Sequence, residues 1–350
     1  MAPYALAEMS APAGKTLISL AQNESLRPPA PRAVEAAAGV LAEGALYPDP
    51  DWTQLREKLA NLHGVASGNI LCGNGSLDLI ASLARVFSGP SRAVLATAHA
   101  YPFFRTAALM ANARFDIAPE VGATVSVDAL LDAVQSDTSL VFVANPGNPT
   151  GTRIPVADLR RLRAGLPDDV LLVIDEAYGE FADHLDESCF DMVNGGNSVV
   201  LRTFSKAYGM AGYRVGWGLF PSHVAQEVRK VLNPNNISLT SQVAAAAAVE
   251  DQDYMRETCA LTRELRNQAA KRLRQTGFDT LDSHTNFLLI DLGNEDAAQS
   301  ADAALRAEGI FLRPQARAGL PHTLRMTIGP ESAMDAALSC LEQWKTEVEK

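Results

Sequence analysis

The sequence predicts an α/β fold, with a parallel sheet covered by helices on both faces and a smaller α+β layer after it. Three observations carry this reading. Apolar runs bounded by turn residues recur, helical patterns lie between them, and the pattern changes near the loop signal "NPNN" at Asn233–Asn236. The runs are "AVLATA" from Ala93, "SLVFVANP" from Ser139, "VLLVIDEA" from Val170 and "SVVLRTF" from Ser198. They are apolar along their whole length, as strands buried on both faces must be. The intervening "SLDLIASLARVF", "VDALLDAVQ" and "PVADLRRLRAGL" show the spacing of amphipathic helices. Beyond Asn236 a long helical stretch is expected from about Thr240 to Gln275. "NFLLIDL", a helix from about Glu295, "IFLRP", "TLRMTIG" and a last helix follow. The division expected is an arm over 1–32, a large domain over 33–236 and a small domain over 237–350, with the Pro- and Ala-rich arm packed against the small domain or a partner subunit.

A chain of 350 residues is long for one core. No apolar run reaches the roughly 18 residues of a membrane span, and "MAPYALAEMSAPAGK" is not a secretory signal. The net charge of -11 argues against a nucleic-acid surface, while leaving room for a local arginine cluster that binds anions. Cys72, Cys189, Cys259 and Cys340 are scattered, which suits reduced thiols in the cytoplasm. Neither they nor the six histidines show metal-ligand spacing, so no metal is expected.

"APAGKT" at Ala11–Thr16 has the tail of a P-loop, but the glycine required five places before Gly14 is Met9. "LCGNGSLDLI" is more informative. Gly73 and Gly75 lead into a helix starting near Ser76, whose free N–H groups can hold an anion. In "VANPGNPTG", Asn148 follows a strand's C-terminal end, where open α/β sheets bind ligands. In "VIDEAYGEF", Asp175 ends the next strand, close to Asn148 if the two strands are neighbours. A carboxylate there needs a cation or several donors, unless it is the N-cap of a helix after the strand. Lys206 follows the next strand, and Arg214 lies eight residues on, among apolar or small neighbours that suit no solvated cation. Together these are the needs of pyridoxal 5'-phosphate (PLP). They are an amine for a Schiff base, a carboxylate for a pyridine nitrogen, and Arg214, Ser205, Thr203 and the Gly75–Ser76 helix start for a phosphate.

"NPGNPTG", "DEAY" and "TFSKAYGMAGYRVG", in this order and spacing, resemble the fold-type I PLP-dependent aminotransferases. "LYPDPDWTQLREKLA", "GNGSLDLI", "NFLLIDL" and "LRMTIG" extend the likeness to the histidinol-phosphate aminotransferase branch. The resemblance implies a large domain with a mostly parallel mixed sheet flanked by helices, plus a smaller C-terminal α+β domain. It implies that Lys206 is the Schiff-base lysine and proton shuttle, that Asp175 bonds the pyridinium nitrogen, and that Tyr178 and Asn148 bond the ring's phenolic oxygen. Tyr101 would stack on the ring. Gly75, Ser76, Leu77, Thr203, Ser205 and Arg214 would hold the phosphate. Tyr47 would reach the cofactor of a neighbouring subunit, giving a homodimer with shared sites. Arg325 and Arg313 would grip the substrate's carboxylate or phosphate, and Tyr4 would close over it. The implied reaction is transamination between histidinol phosphate and 2-oxoglutarate, with an aromatic amino acid aminotransferase and a phosphothreonine-type decarboxylase as related readings. The chain departs from the branch at "QNESL" (Gln22–Leu26), at Ser76-Leu77-Asp78 and at "NPNNIS" (Asn233–Ser238).

Overall fold

The computed structural model describes residues 9–348. The chain runs through β1 (Ile18–Ser19), α1 (Pro31–Gly39) and α2 (Thr53–His63) before it reaches a seven-stranded sheet. The sheet is built from β2 (Ile70–Asn74), β3 (Ala93–Thr97), β4 (Phe115–Ala118), β5 (Thr138–Ala144), β6 (Leu171–Asp175), β7 (Ser198–Thr203) and β8 (Val215–Leu219). In space the order is β2-β8-β7-β6-β5-β3-β4. The five strands from β7 to β4 are mutually parallel, and only β8 runs antiparallel to its neighbours. This is the mostly parallel mixed sheet expected. Its connections include α3 (Ser76–Phe87), α4 (Pro102–Met110), α5 (Val127–Ala133) and α6 (Val156–Gly165), with α7 (Ser222–Arg229) after β8. Every residue of β3, β6 and β7 is buried, which explains why these strands read as unbroken apolar runs.

β8, "VGWGL", was not among the expected strands, because Gly216 and Gly218 weaken its strand signal. Both glycines are required by close approach. A Cβ at Gly216 would overlap the backbone nitrogen of Ser76, and one at Gly218 would lie 2.6 Å from Leu201 Cδ2. The first glycine therefore lets the α3 N-terminus sit directly against β8.

The long helix expected from Thr240 to Gln275 is two helices, α8 (Leu239–Val249) and α9 (Gln252–Gln275). Asp251 stops one and starts the other, since its side chain accepts from the backbone N–H of Tyr254 as an N-cap. The two helices pack differently. The alanine run of α8 is buried against α1 and α2, whereas α9 is amphipathic.

A second sheet follows, from β9 (Asp279–Thr280) and β10 (Phe287–Asp291). After α10 (Glu295–Ala307) and β11 (Ile310–Phe311), it is completed by β12 (Arg313–Gln315) and β13 (Leu320–Thr327), ahead of α11 (Glu331–Val348). Its order is β12-β13-β10-β9, all antiparallel. Two apolar cores result. One surrounds the large sheet, with Phe104, Phe142 and Trp217 at its centre. The other joins Leu288 and Leu324 to Leu305 and Leu341. Ala244, Ala245, Ala246, Ala248, Val249 and Met255 belong to the first core, and along α9 the second begins at Ala269. Along the chain the packing changes sides within α9, with Phe287 of β10 returning to the first core. The arm lies on the second unit: β1 pairs parallel with β11, and Leu20 enters the second core.

Candidate active site

The C-terminal ends of β5, β6 and β7 form one edge, held level by backbone bonds from Asn145 N to Asp175 O (3.0 Å) and from Glu176 N to Leu201 O (2.8 Å). Asp175 is 3% exposed. Its Oδ1 accepts from Ala177 N–H at 3.1 Å, and among the described residues it has no cationic partner within ion-pair distance. Burial pushes its carboxyl up to about 7, with the Glu176 charge adding to the rise. The chain after Asp175 is clamped from below by the buried Arg202. This guanidinium reaches Glu176 and Asp183 at 3.0 Å and Glu180 at 3.6 Å. Tyr178 lies inside that clamped segment.

Lys206, three residues past β7, donates from Nζ to the backbone O of Asn23 at 2.9 Å. Desolvation pushes its amine down to about 7, reinforced by Arg325 and Arg214 and opposed by Glu24. The same Asn23 donates from Nδ2 to the Tyr178 hydroxyl at 2.8 Å. It stands in the left-handed region at φ +53 and is 2% exposed. Thr327 Oγ1 accepts from its backbone N–H at 2.9 Å, and Asn286 Nδ2 donates to its carbonyl at 3.2 Å. Asn23 thus joins Lys206, Tyr178, β13 and the segment before β10 at a single point. No spacing rule marks it. The only signal in the sequence was its place in "QNESL", where the chain departs from the related branch.

The α3 N-terminus sits between β2 and β8. Gly75, at φ +74, precedes it, and a Cβ there would overlap the Arg214 guanidinium. Arg214 donates from Nη1 to Ser205 Oγ at 3.3 Å and to Ala211 O at 2.9 Å. Thr203 Oγ1 donates to Ser205 Oγ at 3.0 Å and accepts from Ser205 N–H at 3.2 Å. Gly75 and the start of α3 at Ser76–Leu77 therefore lie beside the linked Arg214, Ser205 and Thr203. Asp78 accepts from Asn74 N–H (3.0 Å) and from Asn236 Nδ2 (2.7 Å), and Trp52 Nε1 donates to Asn236 Oδ1 at 3.0 Å. These supports tie "NPNN" to this helix start, a link that sequence reasoning did not make.

On the second sheet, Arg313 and Arg325 are directly opposed across β12 and β13. Opposed residues of an antiparallel pair share a face, so both guanidiniums leave the sheet on the same side. Arg325 Nη1 donates to Asn148 Oδ1 at 2.6 Å and Nη2 to Ala21 O at 2.9 Å, which carries this face to the large-sheet edge. Tyr101 caps the start of α4 and stands edge-on to Phe104, with ring centroids 5.8 Å apart. Tyr47 is 88% exposed, next to the exposed Leu41 and Leu46, and makes no part of this cluster within one chain. Tyr4 lies outside the described residues.

The family description for class I and II aminotransferases matches residues 15–341. The chain belongs to that family. It is a transaminase by membership. It is 39% identical to a histidinol-phosphate aminotransferase of Rhodospirillum centenum over 98% of this chain and 96% of that one. It is 38% identical to that of Ruegeria sp. over 93% and 90%. The crystal structure of histidinol-phosphate aminotransferase from Sinorhizobium meliloti in complex with pyridoxal-5'-phosphate superposes with a TM-score of 0.90 at 30% identity, covering 95% of this chain and 92% of that one.

The residues of this transaminase fit the cofactor that the family implies. A buried carboxylate without a cation suits a protonated ring nitrogen, and a partly desolvated amine suits an aldehyde. The α3 N-terminus beside Arg214, whose guanidinium lies so close that Gly75 can carry no Cβ, suits a phosphate. No helix among the described residues is long and apolar enough to cross a membrane, and none of their His, Cys, Asp or Glu clusters could hold a metal ion.

Proposed function

We propose that this transaminase moves an amino group between histidinol phosphate and 2-oxoglutarate, with PLP held at the sheet edge. The observation that carries the choice of donor is the shared face of Arg313 and Arg325. Two guanidiniums on one face match a dianionic phosphate, whereas the carboxylate of an aromatic amino acid needs only one. The names of the relatives agree with this reading.

Bound at this edge, PLP supplies an electrophilic aldehyde and a sink for the electrons of a broken substrate bond. Lys206 Nζ would take the proton from the substrate's Cα and deliver it to the carbon of the cofactor's aldehyde group, and its amine, already lowered to about 7, is suited to carry a proton near neutral pH. Asp175 would hold the ring nitrogen protonated, and in doing so gain the cation that its buried carboxylate lacks. Tyr178 and Asn148 would donate to the ring oxygen, and Tyr101 would cover the ring. Gly75, Ser76, Leu77, Thr203, Ser205 and Arg214 would hold the cofactor phosphate. The two-carboxylate partner, 2-oxoglutarate, uses the same arginine face. Arg313, Arg325 and Asn148 would complete the substrate side.

The exposed Leu41, Leu46 and Tyr47 support a homodimer in which Tyr47 serves the partner's site. The four free cysteines accord with a cytoplasmic, reducing setting.

The test is turnover of histidinol phosphate and phenylalanine, each with 2-oxoglutarate, by the wild type and by Arg313→Ala. Histidinol phosphate should be the better donor. Arg313→Ala should lower its kcat/KM by about 10- to 100-fold, a loss of roughly 1.4–3 kcal/mol, and leave phenylalanine nearly unchanged. Equal losses for both donors, or a preference for phenylalanine, would overturn the assignment. CO₂ release without a keto acid would indicate the decarboxylase instead.

A further inference from the structure

A second cluster of cations lies away from the catalytic edge. Arg263, Arg266, Lys271 and Arg274 share the face of α9 that lines a cavity of about 330 Å³. The opposite wall is the segment from Leu281 to His284, with His184 at the rim. A chain of net charge -11 has acids to spare, yet the only carboxylate in the lining is Asp282, already 2.8 Å from Arg274. Among the described residues, Arg263, Arg266 and Lys271 pair with no carboxylate, whereas elsewhere on α9 Arg256 and Arg272 are both paired.

Two further observations point to a missing partner. Arg266 is 5% exposed, and among the described residues its one hydrogen bond is from Nη1 to the backbone O of Thr285 at 2.7 Å, a neutral acceptor. His284 Nδ1 is buried without a hydrogen-bond partner among the described residues. A buried cation and a buried ring nitrogen, both facing unneutralised charge, are costly unless something supplies acceptors. The local field agrees: burial and Arg263 push Arg266 down to about 10, and burial with the arginines lowers His184 and His284.

We propose that this cavity is an anion site for a phosphate-type dianion, either free orthophosphate or a phosphomonoester. Its volume, near the lower bound of ligand pockets, leaves room for a phosphate with a small ester group. Arginines offer forked donors to phosphate oxygens, and Lys271 at the rim adds a point charge. The site is separate from the catalytic edge but shares a segment with it. His284 N–H donates to Gly151 O at 2.9 Å, and Asn286 reaches Asn23.

The test is calorimetry on the PLP-loaded protein in an Arg313→Ala/Arg325→Ala background, which removes phosphate binding by the substrate-side arginines. Orthophosphate and glycerol phosphate are titrated separately at constant ionic strength set with chloride. One equivalent of either should bind, and Arg263→Gln/Lys271→Gln should weaken it at least ~10-fold. These two positions are more exposed than Arg266, so the pair tests the site even if Arg266→Gln fails to fold. Tighter binding of glycerol phosphate identifies a phosphomonoester site, and equal or tighter orthophosphate binding a free-phosphate site. Phosphate that binds no better than chloride, or binding that the double variant leaves intact, overturns the proposal.

Discussion

Asp175 and Lys206 are held in states that are unfavourable in the cofactor-free protein, and the cost has a pH signature. The Asp175 carboxyl is raised from the ordinary 3.8 to about 7. The folded chain therefore binds more protons than the unfolded one between those values, and this group's contribution to stability is lost as pH rises through that window. The Lys206 amine is lowered from 10.5 to about 7, so its contribution is present above 10.5 and lost as pH falls toward 7. The two limbs meet in a trough near pH 7. Each spans on the order of 4–5 kcal/mol, from about 1.4 kcal/mol per pKa unit. Urea unfolding of cofactor-free protein should show Asp175→Asn removing the acid limb and Lys206→Met the alkaline one, with transamination abolished in both. Wild-type stability that stays flat from pH 4 to 10 would refute this. Asn23 gives a second prediction at this scale. Asn23→Ala removes the buried bond to Tyr178 and puts alanine at a positive φ. It should cost about 1–3 kcal/mol in stability and lower kcat more than it raises KM, because it repositions Lys206 and Tyr178. The chemistry of Asp175 and Lys206 was legible from residue type at strand ends. Asn23 was not, because its role depends on contacts more than 150 positions away in sequence, at Tyr178, Lys206 and Thr327.

At the scale of elements, the place of the α3 N-terminus depends on how closely that helix meets β8. Gly216→Ala places a methyl group where the Ser76 backbone now lies, and neither strand nor helix can yield cheaply. The variant should lose roughly 1–3 kcal/mol of stability. Its affinity for PLP should fall by at least ~10-fold, read from the absorbance of the bound cofactor, because the donors at Gly75–Leu77 would move. Unchanged cofactor affinity would show that the helix start tolerates displacement. α3 was readable to its last residue because its apolar spacing and glycine lead-in agree. β8 was missed because the glycines that its neighbours require are those that mask a strand. The split of α8 from α9 was also missed, since the residues around Asp251 break no helical periodicity and the turn results from two faces that need different cores.

Over the whole molecule, the arm is a structural member of the second unit. Leu20 is buried in that core, and its backbone O accepts from Thr327 N–H at 2.8 Å. Leu20→Ala should therefore destabilise the protein by about 2–4 kcal/mol in urea unfolding, as expected for a deleted core side chain. A loss below ~0.5 kcal/mol would mean that the arm only rests on the surface. The sequence by itself determined the α/β class, the apolar parallel strands, and the set of charged residues stranded at their ends, because burial on two faces leaves no other reading of such runs. Only the tertiary structure decided where the two cores divide, that Arg313 faces the same side as Arg325, and that Asn23 joins the arm to Lys206. Those facts depend on strand register and on contacts between segments far apart in the chain, and local residue pattern carries neither.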